Sequence, residues 1–211
     1  MTARPHQSPQ AFLHDDSGAT LVELAVVLPV FLLLYLGTID FGRFGAEYVL
    51  GQKAMQIAVR TAAVRPPACA GVPASNLRGT VPAGTVPPRF GTLCNAGGTV
   101  CADPGTISCT GDVTNPTAAE IWGIVSPVLP STATPANLVF RYDYDPNLGF
   151  LGGPYVPVVT VALQNLNFQF ATPLGGLAAL AGAGGGPGAT IAFPAMSMSL
   201  PAEDLAQGEN G

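Results

Sequence analysis

The sequence predicts an α+β protein in which one long N-terminal helix crosses a membrane, continues as an amphipathic helix and packs on a small antiparallel β-sheet. Three observations predict it. Between Ala19 and Ile39 the run ATLVELAVVLPVFLLLYLGTI carries a single charge, Glu23. From Phe41 to Val59 apolar residues recur at helical spacing. Beyond residue 137, segments of alternating apolar and polar residues read as strands.

As an α-helix, residues 19–39 would be about 31 Å long, enough to cross a bilayer core. A helix of a soluble core would be shorter and would show a polar face. Pro29 removes a backbone donor from this run and predicts a kink, which a membrane helix tolerates where neighbouring groups satisfy the freed carbonyl. Glu23 is an ionisable group in apolar surroundings and so asks for a partner. A second reading places it in the first helical turn, where the helix dipole favours a negative charge.

Gly18, Ala19 and a carboxylate at the fifth residue after the glycine, all ahead of an unbroken apolar helix, form the layout of a class III signal sequence. The run GATLVELAVVLPVFLLLYLGTIDFGR resembles the opening of the TadE-like family, minor pseudopilins of the tight-adherence (Flp pilus) machinery with a type IV pilin-like N-terminus. The resemblance implies a leader, residues 1–18, cut between Gly18 and Ala19 by a prepilin peptidase. It also implies that Glu23 pairs with the new α-amino group of a neighbouring subunit as helices pack. The partners so implied are the inner membrane, other pilins or pseudopilins and the tight-adherence machinery. The resemblance is specific from Gly18 to about Arg60 and looser from Pro157 to Glu203. One amphipathic helix against a small antiparallel sheet is also the pilin-like layout.

Residues 1–17 are short, polar and without periodicity, as a targeting leader would be. They depart from the family pattern in placing Asp15 and Asp16, not basic residues, before the glycine. An ordinary secretory signal peptide competes, but a basic start is nearly absent and no small-x-small site follows Leu36. Orientation is contested by two rules. Lys and Arg near the span lie mostly on its C-terminal side, at Arg43, Lys53, Arg60 and Arg65, which by charge counting puts that side in the cytoplasm. The cysteines argue the reverse: Cys69, Cys94, Cys101 and Cys109 all follow the span, with no C-x-x-C pair and no histidine after His14. Two disulfides in an oxidising compartment account for them better than a zinc site, with three connectivities open. The expected location is therefore a bacterial inner membrane, single-pass, with the C-terminal domain periplasmic or extracellular.

Past the span, residues 40–65 should extend the helix, with Phe41, Phe44, Tyr48, Met55 and Val59 on the packed stripe and Arg43, Glu47, Lys53 and Arg60 on the other side. Ile57 falls outside that stripe and could touch a partner. Pro66 and Pro67 end the helix. Residues 66–136 hold 11 of the 21 prolines and all four cysteines, a loop region that disulfides could tie down. Within it, Thr117 and Glu120 read as a capping box opening a short helix anchored by Trp122. Residues 137–200 should form the sheet. Leu138 to Tyr144 alternates, Tyr155 to Phe170 switches phase near Gln164 and Asn165, and Ile191 to Leu200 makes a third strand after a Gly- and Ala-rich connection through Gly188. The polar tail, residues 201–211, should fray.

The net charge is −5, and after Pro66 three arginines face eight carboxylates, so no basic surface exists for a nucleic-acid partner. No phosphate-binding glycine loop, Ser/His/Asp set or metal cluster can be assembled from the residues that follow the leader; His6 and His14 lie within it. Asp143 and Asp145 could pair for catalysis, but beside Arg141 on a strand they read as a solvated face. The expectation is no enzyme, no cofactor and a structural role in pilus assembly. The alternative is a bitopic membrane protein whose disulfide-bearing domain binds an extracytoplasmic ligand.

Overall fold

The computed structural model describes residues 19–172, 190–203 and 205. The leader, the Gly- and Ala-rich connection over 173–189, residue 204 and residues 206–211 lie outside them. The chain divides into two units, Met1–Gly42 with Phe170–Ala189, and Arg43–Gln169 with Thr190–Gly211. Helix α1, Ala19–Val64, contributes to both and runs without interruption through Pro29. It stops one residue before Arg65 and the Pro66–Pro67 pair, as prolines after a helix require.

In the second unit, strands β1 (Ile107–Thr110), β2 (Leu138–Asp143), β3 (Val158–Leu163) and β6 (Met196–Pro201) form one antiparallel sheet in the order β1-β2-β3-β6. Strands β4 (Asn167–Gln169) and β5 (Thr190–Ala192) pair separately. The register explains the core. Leu138, Phe140 and Tyr142 stand opposite Leu163, Val161 and Val159, which in turn stand opposite Met196, Met198 and Leu200. Side chains alternate along a strand, so these fall on one face. The other face carries Arg141, Thr160, Ser197 and Ser199, where the Thr160 and Ser199 hydroxyls meet at 2.8 Å and Arg141 pairs with Asp143 at 2.8 Å. Arg141 is exposed on this face and Asp143 half-buried, while Asp145 lies beyond the end of β2. Asp145, for its part, accepts from the Asn147 backbone N–H.

Within this unit the helix buries Met55 and Val59 together with Ala54, Ala58, Ala62 and Ala63. The alanines let the backbone come close. At Gly51 the approach is tighter still: an added Cβ would lie 3.1 Å from Met196 Sδ.

The structure differs from the expected elements in several places. The single strand foreseen over Tyr155–Phe170 is two, because Asn165 adopts φ 54°, a left-handed turn that asparagine tolerates, and this reverses the phase so that Leu166 and Phe168 point inward. Ile191–Leu200 likewise divides, with Pro194 in the gap between β5 and β6. Strand β1 was not foreseen in the Pro-rich stretch; its four residues, ISCT, are too few to show a period.

Helix α2, Pro116–Val125, is capped by Asn115, whose side chain accepts from the Ala118 N–H, and not by a Thr117–Glu120 box. Pro116 fixes the first helical position, which moves the cap one residue before it. Thr117 donates instead to the Pro66 carbonyl, and Glu120 holds Arg65 through two contacts of 3.0 Å. The helix anchors on Ile121 and Val125, both fully buried, while Trp122 is only half-buried. At the C-terminus the backbone does not fray at Pro201. The Ala202 N–H donates to Pro157, the Glu203 N–H donates to Ala63, and Leu205 is fully buried.

Two disulfides fasten the Pro-rich stretch. Cys69 bonds Cys109, tying the chain just past α1 to β1, and Cys94 bonds Cys101 beside Val100 and Leu151.

Candidate assembly surface

The apolar part of α1 is a surface that no other element covers among the described residues. Its most apolar window has a mean hydropathy of 2.3, and none of that window is buried. Leu21, Val22, Val26, Val27, Val30, Phe31 and Leu34 all stand exposed. Such a contiguous apolar surface is unstable in water and fits either lipid or another apolar helix. By length and composition this is one helix able to cross a membrane, near the N-terminus.

Glu23 is exposed on this surface, one turn in from Ala19, the first residue of α1. Gly18 lies outside the described residues. Pro29 sits inside the helix, and Val26, Val27, Val30, Phe31 and Leu34 around it line a shallow apolar hollow.

At the far end of this first unit the structure adds a feature that pattern reading missed. Asp40 is fully buried. Its carboxylate accepts the Ala171 N–H at 3.2 Å, the Thr172 N–H at 3.1 Å and the Thr172 hydroxyl. Phe170 meets Phe41 edge-on at 5.9 Å. Two consecutive backbone donors and a hydroxyl satisfy a carboxylate well, and hydrogen bonds to a charged acceptor are the stronger kind. The available signal was a lone carboxylate directly after the apolar run.

In the second unit the helix begins with an aromatic cluster. The Arg43 guanidinium lies 5.4 Å from the centre of the Phe168 ring, Phe44 meets Phe168 and Phe193 edge-on at 5.3 and 5.7 Å, and Tyr48 meets Phe193 at 6.4 Å. Arg43 and Glu47, expected on the side away from the packed stripe, therefore belong to this cluster. They pair at 3.4 Å, and Glu47 is half-buried. The long arginine stem lets the charge rest on a ring face while its tip reaches solvent. Ile57, outside the stripe, is exposed.

Near Asp103, Tyr155 is buried and stacks on Tyr144 at 6.5 Å; burial, then Asp103, Tyr144 and Asp143, push its hydroxyl up to about 12. Tyr142 is raised by burial as well, partly offset by the Ala68 N–H that donates to its oxygen at 2.9 Å. These tyrosines stay neutral and act as packing. Among the described residues no group of three His, Cys, Asp or Glu side chains is placed to hold a metal, and all four cysteines are in disulfides.

No curated protein and no solved structure matches the chain. A family model does. The family described as TadE-like protein matches residues 18–63, a segment that takes in Glu23, Pro29, the whole exposed apolar run and all but the last residue of α1, so the resemblance expected from the opening residues holds across the helix.

Proposed function

We propose that this chain is a membrane-anchored minor pseudopilin that acts in assembling a Flp or tight-adherence pilus or its secretion apparatus. The observation that carries the reading is the overlap of the TadE-like match with the exposed apolar run: the matched segment takes in the part of α1 that the described residues leave uncovered. On this reading a prepilin peptidase cuts between Gly18 and Ala19 at the cytoplasmic face. The helix then spans the bacterial inner membrane once, and the domain beyond it lies in the periplasm or outside the cell. The two disulfides support that side, since they persist in oxidising compartments.

Cleavage gives Ala19 a free α-amino group. Glu23, isolated in apolar surroundings, gains stability by pairing with that amine on a neighbouring subunit, because an ion pair in low dielectric removes the cost of a lone charge. Pro29 leaves a carbonyl for a neighbouring helix to satisfy. No step of this role needs catalysis or a cofactor; the partners are other pilins or pseudopilins and the tight-adherence machinery.

The test is Glu23→Ala in a cell that carries that machinery, read together with disulfide crosslinking from Val27→Cys. The variant should still be cut at Gly18 but should lose about nine-tenths of its crosslinks to neighbouring subunits, as loss of one charged pair implies. Unchanged crosslinking would remove the assembly role from Glu23.

A further inference from the structure

Strand β6 closes one side of the four-stranded sheet, and its outer edge pairs with no strand among the described residues. The register fixes what that edge offers. The Ala202 N–H donates to the Pro157 carbonyl, one step beyond a ladder that sets Leu200 opposite Val159 and Met198 opposite Val161. Antiparallel pairs alternate between bonded and non-bonded, so Met196, Met198 and Leu200 bond to β3, while Ser197, Ser199 and Pro201 aim their backbone groups outward. Pro201 has no N–H to leave open, and an edge is where a strand tolerates proline. Among the described residues the free groups are therefore the N–H and C=O of Ser197 and Ser199, enough to receive a short strand.

Alongside this edge runs a groove against α1. Two adjoining hollows of about 290 and 120 Å³ share Gln56 and Met198, the first reaching from Tyr48 to Met196 and the second ending at Arg60 and Leu200. Half-buried methionines give the floor an adaptable apolar surface. Arg60 is the single charged residue of the lining, and it has no carboxylate partner among the described residues.

We infer that this edge and groove receive an extended segment of another protein, added as a strand beside β6, with apolar side chains at alternate positions over Met196, Met198 and Leu200 and a carboxylate beside Arg60. Strand addition takes affinity from the backbone and specificity from the alternate side chains, which is what an open edge above a lined groove provides. A second copy fits less well. If β6 paired with itself about Met198, Arg60 would face the Tyr48 and Gln52 end of the other groove, whose lining carries no carboxylate.

The test uses the full chain in detergent micelles and a fluorescent peptide of alternating valine and threonine with one terminal aspartate. Two further versions carry N-methyl groups on one or the other alternate set of amides, and a third carries lysine in place of aspartate. The aspartate peptide should bind. The lysine peptide should bind about tenfold more weakly, and Arg60→Glu should reverse that order. Methylation of one amide set should abolish binding and methylation of the other should leave it, because only one set faces β6. Absence of binding, equal effects of the two methylated peptides, or an unchanged charge preference in Arg60→Glu would overturn the inference. So would concentration-dependent dimers, seen by sedimentation, that Ser199→Pro dissolves, since the occupant would then be a second copy.

Discussion

Tyr155 carries its hydroxyl into a buried position, and the consequence is a pH dependence of defined sign. Its folded pKa, about 12, stands above the ordinary tyrosine value near 10. The neutral form is thus favoured in the folded chain; the contribution is complete below about pH 10 and is lost as pH rises from there towards about 12. Tyr155→Phe should flatten this alkaline decline, and Tyr142, also raised, should leave part of it. Urea unfolding midpoints measured at neutral pH and at about pH 11 check it; equal alkaline losses in the two proteins would contradict the assignment. At Asp40, Asp40→Asn should release the Ala171 and Thr172 amides, whose hydrogen exchange should quicken about tenfold or more on loss of charge-assisted bonds. Neither residue was legible beforehand. Alternation marks which face a tyrosine takes but not whether its oxygen finds a donor, and the donors to a carboxylate that lie 131 and 132 residues later leave no local pattern.

Elements were legible where their period ran long enough. The apolar run and the stripe that ends at Met55 and Val59 announce α1, and the alternation LVFRYD announces β2. What failed was short or depended on one backbone angle. Four residues cannot display a period, so β1 was hidden, and Asn165 divides β3 from β4 by a left-handed turn that the side-chain pattern shows only as a change of phase. The packing of α1 rests on its alanines more than on the aromatic stripe, whose first member, Phe41, stays exposed. Met55→Ala should therefore cost about 2–5 kcal/mol by leaving a cavity, and Ala58→Leu about 1–3 kcal/mol by overpacking. Denaturant unfolding measures both, and a cost near zero for either would place that residue outside the core.

The disulfides act on the same scale. Cys69–Cys109 closes a sequence separation of 40 and Cys94–Cys101 one of 7. Chain-entropy arguments assign about 4 kcal/mol to the first and about 2 kcal/mol to the second. Replacing both cysteines of the longer loop by alanine should be the more destabilising change. The reverse order in thermal melts would mean that the shorter loop carries the constraint.

For the whole molecule, the apolar helix of the first unit and the sheet of the second answer different demands. The sheet's apolar face is largely buried within its own unit, at Leu138, Phe140, Tyr142, Val159, Val161 and Leu163. The helix over residues 20–39 buries almost nothing among the described residues, a surface that fits lipid or other apolar helices. That division was visible in hydropathy alone, because a bilayer demands a long unbroken run that no other element of this chain possesses. The side of the membrane was less legible, since charge counting and cysteine placement pull in opposite directions. Intact mass spectrometry of the protein extracted from the membranes of pilus-forming cells bears most directly on the role proposed for the helix. A chain that begins at Ala19 and retains both disulfides is the predicted result, and a chain that begins at Met1 or Thr2, or one cut after the apolar run, contradicts it.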